Sequence, residues 1–255
     1  LTDYARQHAP SLLDKLGIAL AIARVLAGLH AQRIVHRNLG GTHILVTPGT
    51  HEVTLIGLGS ATTINAQGQC PPPGDWESTL RAYVSPEQSG RTNRPVDART
   101  DLYSLGVVLY ELFPGPLPFD ADDPSELLHC HLAREPRPPH ALCSELPAVV
   151  SAIVMRLLAK NPDDRYQTAR GLAADLGDCH RQLANDGRVV DFVLGQADRS
   201  GRLRWPDALY GRDEEIALLQ RALRNAGRGV GYAVLLAGLA GTGKTALAEK
   251  LRDLA

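Results

Sequence analysis

The chain has 255 residues, enough for one large domain or two smaller ones, and 44% of them are hydrophobic, as expected of a globular protein with a core. Its 27 basic and 28 acidic residues leave a net charge of -1, which gives no bulk electrostatic reason to expect nucleic-acid binding, since that needs a basic surface. We therefore expect no nucleic-acid partner.

No targeting or membrane segment is predicted. No run of about 18 apolar residues occurs, and residues 1–4 lack both a methionine and a signal-peptide pattern, so we interpret them as a cut end. The four cysteines are widely spaced and form no Cys-x-x-Cys motif, which is typical of a reducing compartment. We expect a cytoplasmic protein without a membrane partner.

The first part of the chain is predicted to contain a long helix and a β-hairpin. Residues 11–14 fit a capping box at a helix start, and apolar residues recur at helical spacing over 16–30. Two apolar runs, 44–46 and 53–56, flank a Pro-Gly-Thr sequence at 48–50 that favours a turn. This pattern indicates two short antiparallel strands.

The second part is predicted to be mainly helical. Residues 101–113 are apolar on most sides, which indicates a buried helix, and the Pro-Gly-Pro sequence after it ends that helix. The elements predicted after it are helices at 124–133, 147–159 and 168–183, a polar linker at 184–207, a helix at about 213–225 and a buried strand at 232–237.

Residues 238–245 read GLAGTGKT and match the phosphate-binding pattern G-x-x-x-x-G-K-[ST] in full. Glycines allow backbone N–H groups to wrap phosphate oxygens, the lysine reaches the β- and γ-phosphates, and the final hydroxyl ligates Mg²⁺. The residues predicted for these roles are Gly238, Gly241, Gly243, Lys244 and Thr245, with Thr245 as the metal ligand. We expect ATP and Mg²⁺ to bind here once the domain is complete, because an acidic strand end is not found in the ten residues after Thr245.

Several segments at consistent spacing resemble the landmarks of protein kinase domains. Residues 36–45 resemble the catalytic loop, and 55–59 lie where the Asp-Phe-Gly segment is expected. Residues 85–87 match the Ala-Pro-Glu position, 101–106 resemble the buried helix that anchors the catalytic loop, and 161–165 resemble the segment that carries a late arginine. This resemblance covers residues 1 to about 183.

The resemblance implies a fold class and a domain order. We expect a mainly α, protein-kinase-like C-lobe with a small β-hairpin at 1–183, without the N-lobe, and a linker at 184–207. The beginning of an α/β P-loop NTPase domain follows at 208–255. Residues 210–214 resemble the entry segment of AAA-type and STAND-type ATPases, and the order of domains is similar to that of large bacterial multidomain signalling kinases.

By this resemblance the structural residues of the kinase motif are kept. Glu87 and Arg165 are expected to form a buried ion pair. Asp101 is expected to accept hydrogen bonds from the backbone N–H groups of the turn at His36 and Arg37.

The residues that carry kinase chemistry are replaced, so no catalytic residue is predicted to be intact. Asn38 stands at the position of the catalytic aspartate, and an amide cannot serve as a base. Gly40 replaces the lysine that contacts the γ-phosphate. His43 and Gly57 replace the two metal-binding residues, so neither ATP nor Mg²⁺ is expected in the kinase-like site.

Three functions remain open from the sequence. The first is a pseudokinase that regulates or scaffolds other signalling domains of the same polypeptide, or protein partners, beside a nucleotide-binding P-loop. The second is an active Ser/Thr protein kinase that uses His43 as a metal ligand and Asp75 or Glu77 as a source of charge. The third is a nucleotide-driven switch of the STAND or AAA type.

Overall fold

A computed structural model describes residues 1–64, 70, 82–92, 94–199, 211–227, 233–238, 243–244 and 247. The chain divides into two units, Leu1–Ser200 and Gly201–Ala255. The helices and strands of the described residues are α1 (Thr2–His8), α2 (Leu12–Ala31), β1 (Ile34–Val35), β2 (Ile44–Val46), β3 (Val53–Leu55), β4 (Thr62–Thr63), α3 (Ala98–Leu112), α4 (Pro124–Ala133), α5 (Ala148–Leu157), α6 (Ala169–Asp186) and α7 (Asp213–Ala226). No helix among these is both long enough and apolar enough to cross a membrane.

The first unit is mostly helical, with two small antiparallel sheets. Strand β1 pairs with β4, and β2 pairs with β3 in the register Ile44 to Leu55 and Val46 to Val53. The second pair is the hairpin predicted from the sequence, which is confirmed. The residues just before and just after this hairpin form part of the candidate functional site described below.

The long helix α2 begins where the capping box predicted. The Ser11 hydroxyl accepts a hydrogen bond from the Asp14 backbone N–H, and the Asp14 carboxylate accepts one from the Ser11 N–H at 3.1 Å. The buried face of α2 packs mainly against α6. The residues of that face are Leu16, Ile18, Ala19, Leu20, Ile22, Ala23 and Leu26.

Helix α3 crosses the centre of the unit and is buried along almost its whole length. It begins three residues before the predicted start because the Asp97 carboxylate accepts a hydrogen bond from the Arg99 N–H at 2.9 Å and so caps the helix. It packs against α5 at Gly106, where an added Cβ would lie 2.7 Å from the Cβ of Leu157. The buried helix expected from the apolar pattern is therefore confirmed.

The chain after α6 differs from the expected polar linker. Helix α6 continues to Asp186, and Gly187 ends it with a φ of 65°. Residues 188–199 then lie against the first unit, with three apolar side chains packed on its core. The sequence missed this packing because these three residues, Val189, Phe192 and Leu194, follow neither a helical nor a strand period.

In the second unit, helix α7 matches its predicted position, but the buried strand predicted at 232–237 is wrong. Residues 233–238 form no strand, and Leu235 is 91% exposed. A parallel strand needs neighbours for its backbone hydrogen bonds, and within the described part of the unit none pairs with this segment. The apolar composition of a segment predicts that it is buried, but it does not show whether other strands are present to pair with it.

His131 on α4 is a buried titratable group in the core. Its Nδ1 lies 3.0 Å from the Tyr103 hydroxyl, and its ring meets that of Phe119 edge to face, 5.1 Å between centroids. Burial, followed by the nearby Lys160 ammonium, lowers the pKa of His131 to about 4. The folded state therefore resists protonation of this side chain.

We predict that His131 makes the first unit sensitive to acid. Below about pH 6.5 the unfolded chain binds a proton at His131 that the folded chain rejects, so stability falls from there toward pH 4, by on the order of 2–3 kcal/mol. His131→Gln removes this part of the loss, measured by urea unfolding at pH 7 and pH 4.5. His129→Gln, at an exposed neighbour, is the control. An unchanged pH dependence in His131→Gln would contradict the prediction.

Candidate functional site

The site is built around the buried carboxylate of Asp101, in the first turn of α3. One oxygen accepts the backbone N–H of His36 and the other that of Arg37, both at 2.8 Å. The Nε2 of His30, near the end of α2, lies 2.8 Å from the same carboxylate. The two backbone hydrogen bonds are those predicted from the sequence, and they attach the turn after β1 to the central helix.

The turn needs these partners because Arg37 has a φ of 64°, a conformation that side-chain-bearing residues rarely adopt. A further contact comes from the Gln88 amide, which donates to the Arg37 carbonyl at 2.8 Å. Gln88 is itself held by Ser85, whose N–H and hydroxyl both donate to its amide oxygen. The turn is therefore fixed from two sides.

The buried ring of His36 connects the turn to the end of the hairpin. Its Nε2 lies 2.9 Å from the Ile56 carbonyl, and its Nδ1 accepts the Asn38 N–H at 3.3 Å. This pattern places the ring proton on Nε2. The loop that contains Asn38 is thus attached to the segment that contains Gly57.

Gly57 lies directly against the ring of His43. The ladder of β2 and β3 continues with a hydrogen bond from the Ile56 N–H to the His43 carbonyl at 3.0 Å, which brings the next residue beside that ring. A Cβ added at Gly57 would lie 2.7 Å from three atoms of the imidazole, and Gly57 has a φ of 78°. The ring is fixed there by its Nδ1, which donates to the Asn38 carbonyl at 2.7 Å.

The structure thus brings together the positions predicted to have lost kinase chemistry. Asn38, His43 and Gly57 are neighbours, and Gly40 is buried beside them, with its carbonyl accepting the His43 N–H at 2.9 Å. These four residues present an amide, an imidazole and two glycines, which do not fit a magnesium site built from carboxylates. In the described part of the chain, no group of three or more His, Cys, Asp or Glu side chains could hold a metal ion.

The predicted ion pair between Glu87 and Arg165 is present and fully buried. Arg165 donates from its two terminal nitrogens to the two Glu87 oxygens, at 2.8 and 3.0 Å. The Arg165 side chain is 0% exposed and the Glu87 side chain is 1% exposed. The remaining Arg165 donors reach the carbonyls of Ala159, Lys160 and Arg99. The guanidinium is therefore bidentate with the carboxylate and has no donor left unsatisfied.

Three supporting residues were missed from the sequence. The Thr100 hydroxyl donates to a Glu87 oxygen at 2.9 Å, and His30 and Gln88 support the turn as described above. Only Gln88 had a local signal, since it stands three residues after Ser85 in the order of a capping box. The other two contacts join residues 13 and 71 positions apart, which no local pattern encodes.

The second unit contains a smaller candidate site. Gly243 has a φ of 82°, and Lys244 donates to the Gly238 carbonyl at 2.8 Å. Gly243 and Lys244 line a cavity of about 240 Å³ together with apolar residues of α7 and of 233–238.

Four of the residues named from the sequence lie outside the described residues. They are Asp75 and Glu77 in the first unit and Gly241 and Thr245 in the second.

A family model of the protein kinase domain matches residues 9–175. The chain belongs to the protein kinase family. A family model of the AAA ATPase domain matches residues 208–255. This member of the family therefore combines a protein kinase domain with an AAA ATPase domain, an arrangement of signalling proteins. Both kinds of domain generally use ATP and Mg²⁺.

Relatives of the chain include two kinds of kinase. The hybrid signal transduction histidine kinase G of Dictyostelium discoideum is 38% identical over 65% of this chain and 5% of its own length. The serine/threonine-protein kinase PknB of Mycolicibacterium smegmatis is 36% identical over 70% of this chain and 28% of its own. The peroxide stress-activated histidine kinase mak3 of Schizosaccharomyces pombe is 29% identical over 84% of this chain and 9% of its own. The matches span less than a third of each relative.

We predict that Glu87→Gln destabilises the first unit by about 3–5 kcal/mol, because it leaves the Arg165 guanidinium buried without its counter-charge. Adding Arg165→Met recovers part of the loss. The measurement is urea unfolding followed by far-ultraviolet circular dichroism. Asp178→Asn, which removes an exposed ion pair with Arg181, changes stability by less than about 0.5 kcal/mol and is the matched control. A loss of stability in Glu87→Gln that is no larger than the loss in Asp178→Asn would contradict the prediction.

Proposed function

We propose that the kinase domain of this chain is a pseudokinase, a regulatory or scaffolding module of a multidomain signalling protein. The observation that carries the proposal is the packing of the His43 ring in the space that any side chain at position 57 would need. The position at which the family places its metal-binding aspartate thus has no side chain and no room for one beside that ring.

The physical chemistry of phosphoryl transfer supports this proposal. The reaction depends on positioning and on neutralisation of phosphate charge by metal ions, with little covalent chemistry supplied by the protein. The Asn38 amide cannot take the proton of an acceptor hydroxyl. Removing one preorganised electrostatic contact from an enzyme site typically costs about 3–4 kcal/mol of transition-state stabilisation. Gly40, His43 and Gly57 add three further replacements in the same place.

The contacts that hold the domain together support a role in binding. Asp101 still fixes the loop, and the Glu87–Arg165 pair still connects residues 85–90 to the chain after α5. A docking surface requires a fixed shape and no metal. The partners we infer are the other signalling domains of the same polypeptide or separate proteins, in line with the multidomain character that the name of the hybrid relative implies.

The domain layout is part of the proposal. Residues 1–183 correspond to the C-lobe of a kinase and 208–255 to the first part of the ATPase domain. The stretch expected as a linker at 184–207 is instead packed on the first unit as far as residue 199. In the complete ATPase domain the P-loop binds ATP and Mg²⁺. The residues assigned to it are Gly238, Gly241 and Gly243 around the phosphates, Lys244 on the β- and γ-phosphates and Thr245 on the metal.

A second candidate is an activity of the ATPase domain itself, as a nucleotide-driven switch. It is favoured by the complete match of residues 238–245 to the P-loop pattern, and by the position of Lys244 at the cavity of the second unit. This function is compatible with a pseudokinase, since the nucleotide would bind to a different unit. Loss of nucleotide binding in Lys244→Ala would support it.

The alternative of an active Ser/Thr kinase is tested by phosphotransfer. The full-length protein with Lys244→Ala, which silences the P-loop, is incubated with radiolabelled ATP, Mg²⁺ and a generic protein substrate. We expect no label above the level of a heat-inactivated sample. Label on the substrate that disappears in Asn38→Ala would overturn the proposal. Label that persists in Asn38→Ala would indicate a contaminating kinase, and the assay would be repeated after further purification.

A stability measurement tests the packing itself. We predict that Gly57→Asp destabilises the first unit by about 1–3 kcal/mol, because the new side chain collides with the His43 ring. Adding His43→Asn relieves most of this loss, so the two changes are coupled. Gly49→Asp is the control, since Gly49 also has a positive φ, 87°, but no atom lies within 4 Å of its Cβ position. Additive effects of Gly57→Asp and His43→Asn would contradict this packing.

A further inference from the structure

Residues 188–199, which we call the strap, are attached to the start of α6 by the carboxylate of Asp198. Its two oxygens accept the Gln167 N–H at 2.6 Å, the Thr168 N–H at 2.9 Å and the Thr168 hydroxyl at 2.8 Å. Thr168 is also the N-cap of α6, since its hydroxyl accepts the Gly171 N–H at 2.9 Å. The carboxylate thus holds the two backbone N–H groups that precede the helix, and it meets the positive end of the helix dipole.

The first turn of α6 is shaped to accept the strap. A Cβ added at Gly171 would lie 2.6 Å from the Cα of Asp198, which is closer than any such contact is normally found. Glycine inside a helix costs about 0.5–1 kcal/mol relative to alanine, so its presence here has a steric reason. The backbone of the strap occupies the space that the missing methyl group leaves.

A second carboxylate holds the middle of the strap. The Gly195 N–H donates to Asp175 at 2.7 Å, and the Tyr166 hydroxyl donates to the same oxygen at 2.5 Å. Asp175 is only 3% exposed, so these bonds are shielded from water. Gly195 has a φ of 76°, and a Cβ there would lie 3.0 Å from the central guanidinium carbon of Arg156, which stacks on the Tyr166 ring.

The strap has an inner and an outer side. Val189, Phe192 and Leu194 pack against the core of the first unit, whereas Val190 and Val193 are 56% and 70% exposed. No helix or strand is formed in this segment. A stretch held by a few hydrogen bonds and three partly buried side chains opens at lower free energy than the helices beneath it.

We propose that the strap is a latch that opens and closes as one unit against α6 and so sets how many residues lie between the packed part of the first unit and the second unit. When it is closed, the first unit continues to residue 199, sixteen residues beyond the boundary that the kinase resemblance implies. When it is open, its twelve residues are released from the first unit and add up to about 40 Å of reach. Since the effective concentration of one tethered unit at another depends on tether length, opening of the latch changes the effective concentration of each unit at the other.

The test compares two glycines of the same helix in the full chain. Gly171→Ala strengthens the helix but collides with the strap, whereas Gly177→Ala adds the same methyl group where the nearest atom, on Leu20, is 3.9 Å away. We expect amide hydrogen exchange of Gly195 and Thr168 to become at least about tenfold faster in Gly171→Ala only. Exchange in the centre of α6 stays unchanged in both variants.

A second pair of variants tests the carboxylate that attaches the strap to α6. Asp198→Ala is expected to increase exchange at the same amides and to speed tryptic cleavage after Arg188 about tenfold, while Asp191→Ala, at an exposed strap residue, has no such effect. Small-angle X-ray scattering of Asp198→Ala is expected to show a larger maximum dimension. Three results would overturn the proposal. The first is unchanged amide exchange in Gly171→Ala and Asp198→Ala, and the second is an equal rise in exchange in the strap and in α6. The third is faster exchange in Asp198→Ala without a change in maximum dimension.

Discussion

The carboxylate of Asp101 is the contact on which the candidate site depends. It is completely buried, and both of its oxygens accept backbone N–H groups from the turn at His36 and Arg37. Arg37 adopts a left-handed conformation that the surrounding structure must hold, because such a conformation costs free energy in a residue with a side chain. The most buried helix and the site loop are therefore one rigid piece, and the loop has a defined shape whether or not it performs chemistry.

Anchoring and chemistry are separated cleanly in this domain. Charged groups remain where they hold backbone or one another, as in the Glu87–Arg165 pair, which the Thr100 hydroxyl completes. Charged groups are missing at Asn38, Gly40 and Gly57, where family chemistry requires them, and His43 stands in place of the family's metal-binding asparagine. A sequence that had simply drifted would be expected to lose buried anchors too, since one unpaired buried charge costs several kcal/mol. The pattern fits a domain whose shape still has a use.

The sequence predicted the elements well where the signal was local. The capping box of α2, the hairpin at 44–46 and 53–55, and the exact span of α4 each follow from residues a few positions apart. It failed at 233–238, where a strand required partners from elsewhere. The strap was missed because its anchors, Asp175 and Asp198, act on residues 20 to 31 positions away.

The site shows the same division between local and distant information. Motif order sufficed to name Asp101, Glu87 and Arg165 and to pair them correctly. The sequence also named His43 and Gly57 as replaced positions, but not that they touch, because that contact depends on the hairpin register and on one side-chain rotamer. Two changes that looked independent in the sequence are a single packed unit in three dimensions.

That packed unit constrains further change at either position. A Cβ at position 57 would lie 2.7 Å from three atoms of the His43 ring, so a side chain at 57 and the ring in its present place exclude each other. With the ring in place, an aspartate at 57 alone would meet a steric barrier instead of adding a metal ligand. Positions 43 and 57 are therefore coupled, and even a double substitution there would leave Asn38 and Gly40 in place of the family's aspartate and lysine.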